Sequence, residues 1–327
     1  MTVFLTNLVQ LLIFPGVLFC VVFGTLMAGI DRKLVARMQS RVGPPILQPW
    51  YDFLKCCGKE TIVPRHAKRA IFIGAPYVGL ASLLVIALFI PVGPYGSVFT
   101  NIGGDLVVIL YLLTMVGVSL IVGAAASGSP FAGVGMSREM VAMISYELPF
   151  VLVLLAVGRV AGADAGIGCT LSLGTISAFQ AANGPLITHW ALIPAAIAML
   201  LVIPCEVGSH PFDVAEAETE ICEGALAEYS GAPLGVFRLT HYVKMYIMTA
   251  LFCAMFLGGI STGIAGVGGT VADVIIFLIL CGVVSFICMT IPHAICARLK
   301  VEQVFKFYWT VVAGLAAISL IMVWAGL

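Results

Sequence analysis

Seven carboxylates fall between Glu206 and Glu228, with no Lys or Arg among them. They are Glu206, Asp213, Glu216, Glu218, Glu220, Glu223 and Glu228, out of 16 acids in the whole chain. The sequence on either side is apolar enough to cross a bilayer. A carboxylate in such surroundings is costly to ionise, so this concentration points to proton handling or to a strongly cationic partner surface. Drawn as a helix, Asp213 to Glu223 sets Asp213, Glu216, Glu220 and Glu223 at steps of three, four and three, within an arc of about 80°. Glu218 points away from that stripe. A solvated acidic loop is the alternative; against it, Val214, Ala215, Ala217, Ile221, Cys222, Ala225 and Leu226 interleave the acids with apolar side chains.

Glu147 is the next candidate. It lies in the run Tyr146-Glu147-Leu148-Pro149, about two turns beyond Glu139 and inside a segment expected to span the membrane. A charge at mid-membrane costs about 2.5–3.5 kcal/mol, so an acid kept there is a candidate for proton exchange. Pro149 has no amide hydrogen and leaves the Ser145 carbonyl free one turn back, beside the acid. A hydrogen-bonded structural Glu is the alternative. Arg238, His241 and Lys244 are placed to serve as polar partners for Glu147 or for the acidic stretch, or to snorkel to the interface.

The elements that must hold these groups are helices in lipid. Of 327 residues, 61% are apolar and 10% charged, with a mean hydropathy of +1.13. A soluble domain carries about 25% charged residues. The fold class is therefore an all-α integral membrane protein, one polytopic domain over residues 1–327. A span needs about 20 apolar residues. Eight segments qualify: Phe4–Ile30, Ala70–Val92, Leu106–Ala126, Met140–Val160, Ile187–Cys205, Leu239–Ile260, Val271–Ile291 and Val304–Trp324. The first is expected to be a retained helix and not a cleaved signal, because no basic residue precedes it.

Nine of the 16 basic residues follow that first segment: Arg32, Lys33, Arg37, Arg41, Lys55, Lys59, Arg65, Lys68 and Arg69. The positive-inside rule puts this stretch in the cytoplasm. Alternation then puts the acidic connection on the same side and both termini outside. The long charged inner connections, one amphipathic and one acidic, are the expected docking surfaces. The basic loop also offers counter-charge to the acidic one. The outer connections, rich in Gly, Ser and Thr, read as plain links.

Remaining groups point to structure. Asp105 and Asp273 read as helix N-terminal acids. The ten cysteines lack a Cys-x-x-Cys pair and mostly sit in apolar segments, Cys20, Cys169, Cys205, Cys253, Cys281 and Cys288 among them, where free Cys acts as a small hydrophobe. His66, His189, His210 and His293 show no metal spacing. Nothing supports nucleic-acid binding.

Several motifs together resemble one family. Asp31-Arg32-Lys33 leads to Arg37-Met38-Gln39-Ser40-Arg41-Val42-Gly43-Pro44. The amphipathic Gln48-Pro49-Trp50-Tyr51-Asp52-Phe53-Leu54-Lys55 follows. Ile144-Ser145-Tyr146-Glu147 and Pro211-Phe212-Asp213 through Glu228-Tyr229-Ser230-Gly231 complete the set. The chain resembles the NADH dehydrogenase subunit 1 family of respiratory complex I and its relatives in energy-converting, group 4 nickel–iron hydrogenases, including formate hydrogenlyase. Ser209-His210 stands where complex I members carry Asn-Arg, and His241-Tyr242 replaces an acid plus Tyr. Glu223-Gly224 and Ala297-Arg298 through Gln303 look more like the hydrogenase branch.

The resemblance implies about eight tilted helices joining a peripheral redox arm to antiporter-like membrane subunits, with a funnel of carboxylates relaying protons or electrostatic state. Carried over by residue, the funnel is Glu147, Glu206, Asp213, Glu216, Glu218, Glu220 and Glu228, with Glu223 matching the hydrogenase variants. Docking falls to the stretch holding Arg32, Lys33, Arg37, Arg41, Asp52 and Lys55. Implied partners are hydrogenase large and small subunits, an iron–sulfur subunit and antiporter-like subunits, in a prokaryotic inner membrane. Those partners would hold the nickel–iron centre and iron–sulfur clusters, with no cofactor in this chain. A quinone-reducing complex I component, a stand-alone ion carrier and a passive anchor are the rival readings.

Overall fold

The computed structural model describes residues 11–93, 104–164, 166, 168–258 and 267–326, and these form helices, turns and connections. In chain order the elements are α1 (Val17–Met38), α2 (Gln48–Gly58), α3 (Arg69–Phe89), α4 (Asp105–Ser127), α5 (Pro130–Asp164), α6 (Leu173–Asn183), α7 (Ile193–Val207), a single turn α8 (Glu218–Ile221), α9 (Gly231–Phe256), α10 (Val267–Ser285), α11 (Ile291–Ile295), α12 (Val301–Phe307) and α13 (Ala313–Trp324). Wide π turns, Phe286–Thr290 and Tyr308–Val312, fuse α10 to α11 and α12 to α13. Among the described residues, seven helical stretches are long and apolar enough to cross a membrane. The first expected span begins outside the described residues, and its described part is α1.

The axis of the bundle is α9. Its apolar window is 94% buried, against 33% and 28% for the last two candidate spans, which therefore line the periphery. Helices α1, α2, α3, α7 and α10 all pack on α9. Val243, Ile247, Met248 and Leu251 of α9 interlock with Leu83, Ile86, Met199 and Val202 in one continuous apolar core. Helix α1 comes so close that a Cβ on Gly24 would sit 2.8 Å from the Tyr242 carbonyl oxygen, which any larger residue would forbid.

Several expected boundaries move. Helix α5 starts ten residues before Met140 and runs for 35 residues, about 52 Å, well beyond a hydrocarbon core of about 30 Å. It continues through Pro149 and carries Arg138 and Glu139 on its N-terminal extension. The fifth expected span is interrupted by two short 3-10 turns, and only Ile193–Val207 is α-helical. Helix α6 precedes it and was not expected. Asp273 lies in the second turn of α10, so it is not an N-terminal cap. Asp105 does open α4, where Ser172 Oγ donates to its Oδ2 at 3.1 Å. All ten cysteines are free thiols; Cys169 is exposed, contrary to the buried role expected from its setting.

Candidate functional site

The N-terminal half of α9 carries Arg238, His241 and Lys244 at steps of three, which puts them along one face. Helix α7 points its C-terminus at that face. Gly208, in the left-handed region, ends α7, and its amide donates back to the Cys205 and Pro204 carbonyls. Glu206 thus sits in the last turn, where the helix dipole disfavours an anion. Lys244 compensates. Its Nζ lies 2.9 Å from Glu206 Oε1, and the residues are only 5% and 3% exposed. That oxygen accepts no hydrogen bond, so the pair is held by charge attraction over a short gap. In so dry a setting, losing either partner would strand the other.

A cavity of about 70 Å³ surrounds this pair, lined also by Glu139, Asp213, Glu216 and His241. That volume is large enough to admit water between polar walls. A larger cavity of about 390 Å³ lies next to it and shares Asp213, Glu216 and His241 as lining residues; Asp31, Arg32, His210, Arg238 and Arg298 enclose the rest. We call these the deep cavity and the mouth cavity. Acids and bases alternate through both, an arrangement that can pass protons through water and side chains over short steps.

Two wide helical turns position the mouth. In the first π turn, Thr290 Oγ1 donates to Asp31 Oδ1 at 2.6 Å. In the second, the Tyr308 hydroxyl donates to the Leu201 carbonyl at 2.6 Å. The extra residue in a π turn re-aims side chains that a regular helix would direct elsewhere. Between the two turns, Arg298 donates from Nη2 to Asp213 Oδ2 and from Nε to His210 Nε2, each at 2.9 Å. On the opposite wall, Arg32 donates to the Tyr242 hydroxyl at 2.7 Å and to Asp52 Oδ2 at 3.1 Å.

Glu216 lines both cavities. Burial pushes its carboxyl up to about 8, and the neighbouring carboxylates of Asp213, Glu139 and Glu223 add to this while Arg238 opposes it. An acid in that range changes protonation near neutral pH, as a relay group must.

The acidic stretch does not form the expected helical stripe. Cys222, Glu223 and Gly224 all have positive φ, so α8 ends at Ile221 after four residues. Gly224 is needed there, since a Cβ would collide with the Ala215 carbonyl oxygen. The chain folds into turns that divide the acids. Glu206, Asp213 and Glu216 face the cavities. Glu223 lies within electrostatic reach of Glu216. Glu220 is exposed and accepts from Arg138 Nη1 at 2.6 Å, and Glu228 is exposed. The Glu218 backbone belongs to α8. Glu147 is half-buried on the outward face of α5, beside Ile144 and Leu148, which are 52% and 40% exposed.

Arg32 of the basic loop shares the mouth cavity with Asp213 and Glu216, but the direct ion pairs come from other cations. Among the described residues, the acidic stretch pairs with Lys244, Arg298 and Arg138. The loop's Arg32 is tied within its own connection to Asp52. Lys33, Arg37, Arg41 and Lys55 lie on α1, α2 and the turn between them. Glu139, His210 and Arg298 were missed as site residues. Glu139 stands ahead of the expected span, and no local spacing links Arg298 to Asp213, 85 residues away. Among the described residues, no group of three or more His, Cys, Asp or Glu is arranged to hold a metal.

Comparison with known proteins agrees with this architecture. The family model described as NADH dehydrogenase matches residues 9–324. Hydrogenase-4 component C of Escherichia coli (strain K12) is 38% identical over 238 residues, covering 71% of this chain and 70% of that protein. A subunit of the NADH-quinone oxidoreductase of Thermomicrobium roseum is 33% identical over 315 residues, covering 90% and 88%. The solved membrane-bound sulfane sulfur reductase, an archaeal respiratory membrane complex, contains a chain that superposes with a TM-score of 0.86 at 30% identity, covering 99% of this chain and all of that one. The polytopic helical bundle, its buried acid–base cavities and these matches together make this chain a member of the NADH dehydrogenase family, the membrane subunits related to subunit 1 of complex I.

Proposed function

We propose that this chain is the membrane-anchor and coupling subunit of an energy-converting, membrane-bound hydrogenase complex. It links a peripheral redox arm to proton or sodium translocation. The observation that carries this reading is the buried Glu206–Lys244 pair inside a water-sized acid–base cavity, in a chain 38% identical to a hydrogenase-4 component. A passive anchor has no use for ionisable groups kept this dry.

In this reading, a change in charge at the redox arm acts on the mouth cavity through Arg32, Asp31 and Arg298. Glu216, Asp213, Glu139 and Glu206 pass the proton or its electrostatic effect inward, and Lys244 stabilises the ionised state. Glu147, facing outward from α5, serves the boundary with a neighbouring membrane subunit. Arg37, Arg41 and Lys55 form the cytoplasmic docking surface with Lys33. Hydrogenase large and small subunits, an iron–sulfur subunit and antiporter-like subunits are the partners, and the nickel–iron and iron–sulfur centres belong to them. The setting is a prokaryotic cell membrane with the charged loops in the cytoplasm.

A second reading, a quinone-reducing arm, is favoured by the 90% coverage in the match to an NADH-quinone oxidoreductase component. Purifying the tagged chain with its partners separates the two. Nickel together with hydrogen evolution supports the hydrogenase assignment. Inhibitor-sensitive quinone reduction without nickel overturns it.

A further inference from the structure

We propose that His210 is a proton-relay residue between the mouth and deep cavities, latched by Arg298, which must release the ring before the ring can take up a proton. The inference deepens the coupling role proposed above and rests on it. The geometry carries it. A guanidinium keeps its protons, so Arg298 Nε can only donate and His210 Nε2 can only accept. The ring is therefore neutral, with its proton on Nδ1, and Nδ1 lies 3.5 Å from Asp213 Oδ2. That same carboxylate oxygen accepts from Arg298 Nη2 at 2.9 Å.

The three groups form a closed triangle at the boundary of the two cavities. His210 and Arg298 line only the mouth, whereas Asp213 lines both. Their side chains are 28%, 23% and 15% exposed, so water reaches them from the mouth side. The gap of 3.5 Å is longer than a direct N–H···O bond of about 2.9–3.0 Å, and a small closure completes it.

The step balances. Arg298 Nε first swings off Nε2, which frees the ring's lone pair. A hydronium in the mouth cavity then gives its proton to Nε2, where an N–H bond forms and a water molecule is left behind. With two donors now facing each other, the latch stays open. The imidazolium gives its Nδ1 proton to Asp213, which passes it to Glu216. One proton has entered and one has left, and the latch re-forms once exchange with water returns the ring proton to Nδ1.

The surrounding charges fit a one-proton device. His293 of α11 stacks on His210 with centroids 5.0 Å apart and planes 16° from parallel, so a charge on one ring disfavours a charge on the other. Asp31 and Arg32 of α1 and Arg238 and His241 of α9 face the same cavity. The Leu299 amide donates to the Pro211 carbonyl at 3.1 Å and keeps the two connections together when Arg298 lets go.

His210→Gln in the intact complex tests this. The amide can accept from Arg298 and donate toward Asp213, but cannot take a second proton. Assembly should be unchanged. Gradient formation in proteoliposomes should fall on the order of ten-fold or more, and its pH dependence should flatten, because the amide does not change charge. A variant with wild-type rate and pH profile would mean a structural staple and overturn the relay. Should the variant not assemble, diethyl pyrocarbonate labelling of the native complex decides. Arg298→Met should raise His210 modification several-fold relative to the exposed His66; unchanged labelling overturns the latch. Glu216→Gln separates this inference from the reading it rests on. Coupling lost there but kept in His210→Gln sinks the relay alone, and coupling kept in both sinks the corridor as well.

Discussion

The acidic stretch consists of two halves that look alike in sequence and differ in physics. From Glu206 to Glu216 the acids line the two cavities, and Glu206 and Asp213 pair with Lys244 and Arg298. Beyond Glu216, Glu220 and Glu228 are exposed, with half-buried Glu223 between them, and Glu220 pairs with Arg138 at the surface. The same carboxylate is a high-stakes group in the first half and a modest one in the second, because desolvation sets both the cost of ionising it and the strength of its pairing. Burial, and not acid density, separates the candidate relay groups from the rest.

The largest effect should come from breaking the driest pair. Lys244→Met leaves Glu206 without its cation and should destabilise the subunit by about 3–5 kcal/mol. The thermal midpoint of the purified complex reads this, and adding Glu206→Gln should restore most of the loss. If the single variant is as stable as wild type, the two halves do not differ as described.

Glu216→Gln comes next. The folded carboxyl sits at about 8 against an ordinary value of 4.5, so the fold binds a proton that the unfolded chain releases between those values. The stability this contributes is complete below about 4.5 and is lost as pH rises through about 8. The wild-type thermal midpoint should therefore decline over that window relative to Glu216→Gln, whose profile should be flatter. Parallel profiles would remove Glu216 from the desolvated half.

Smaller effects mark the border of the comparison. Tyr229 follows the exposed half, yet it is buried and its hydroxyl donates to the Phe72 carbonyl at 3.1 Å. Tyr229→Phe should cost about 1 kcal/mol in chemical denaturation. Glu220→Gln should cost no more than about 1 kcal/mol and leave coupling intact. A large loss there would show that the exposed half also carries function.

Much of the fold was legible because spanning helices announce themselves by apolar length. The misplaced boundaries have physical causes. Helix α5 is longer than a span at its N-terminal end, where polar residues such as Arg138 are no signal against helix. The two 3-10 turns ahead of α7 look apolar and continuous in sequence. In the candidate site, Glu206, Asp213 and Glu216 stood out by type and setting, but their partition from Glu220 did not. It depends on three successive positive-φ residues at 222–224, of which only Gly224 is a glycine. Arg298 and His210 meet across 88 positions of sequence, and no local pattern encodes a contact of that kind.

The most direct measurement compares Glu216→Gln with Glu220→Gln in the intact complex reconstituted in liposomes, following internal pH during redox turnover. The account predicts that the first variant fails to build a gradient while the second matches wild type. Equal gradients from both variants would contradict it.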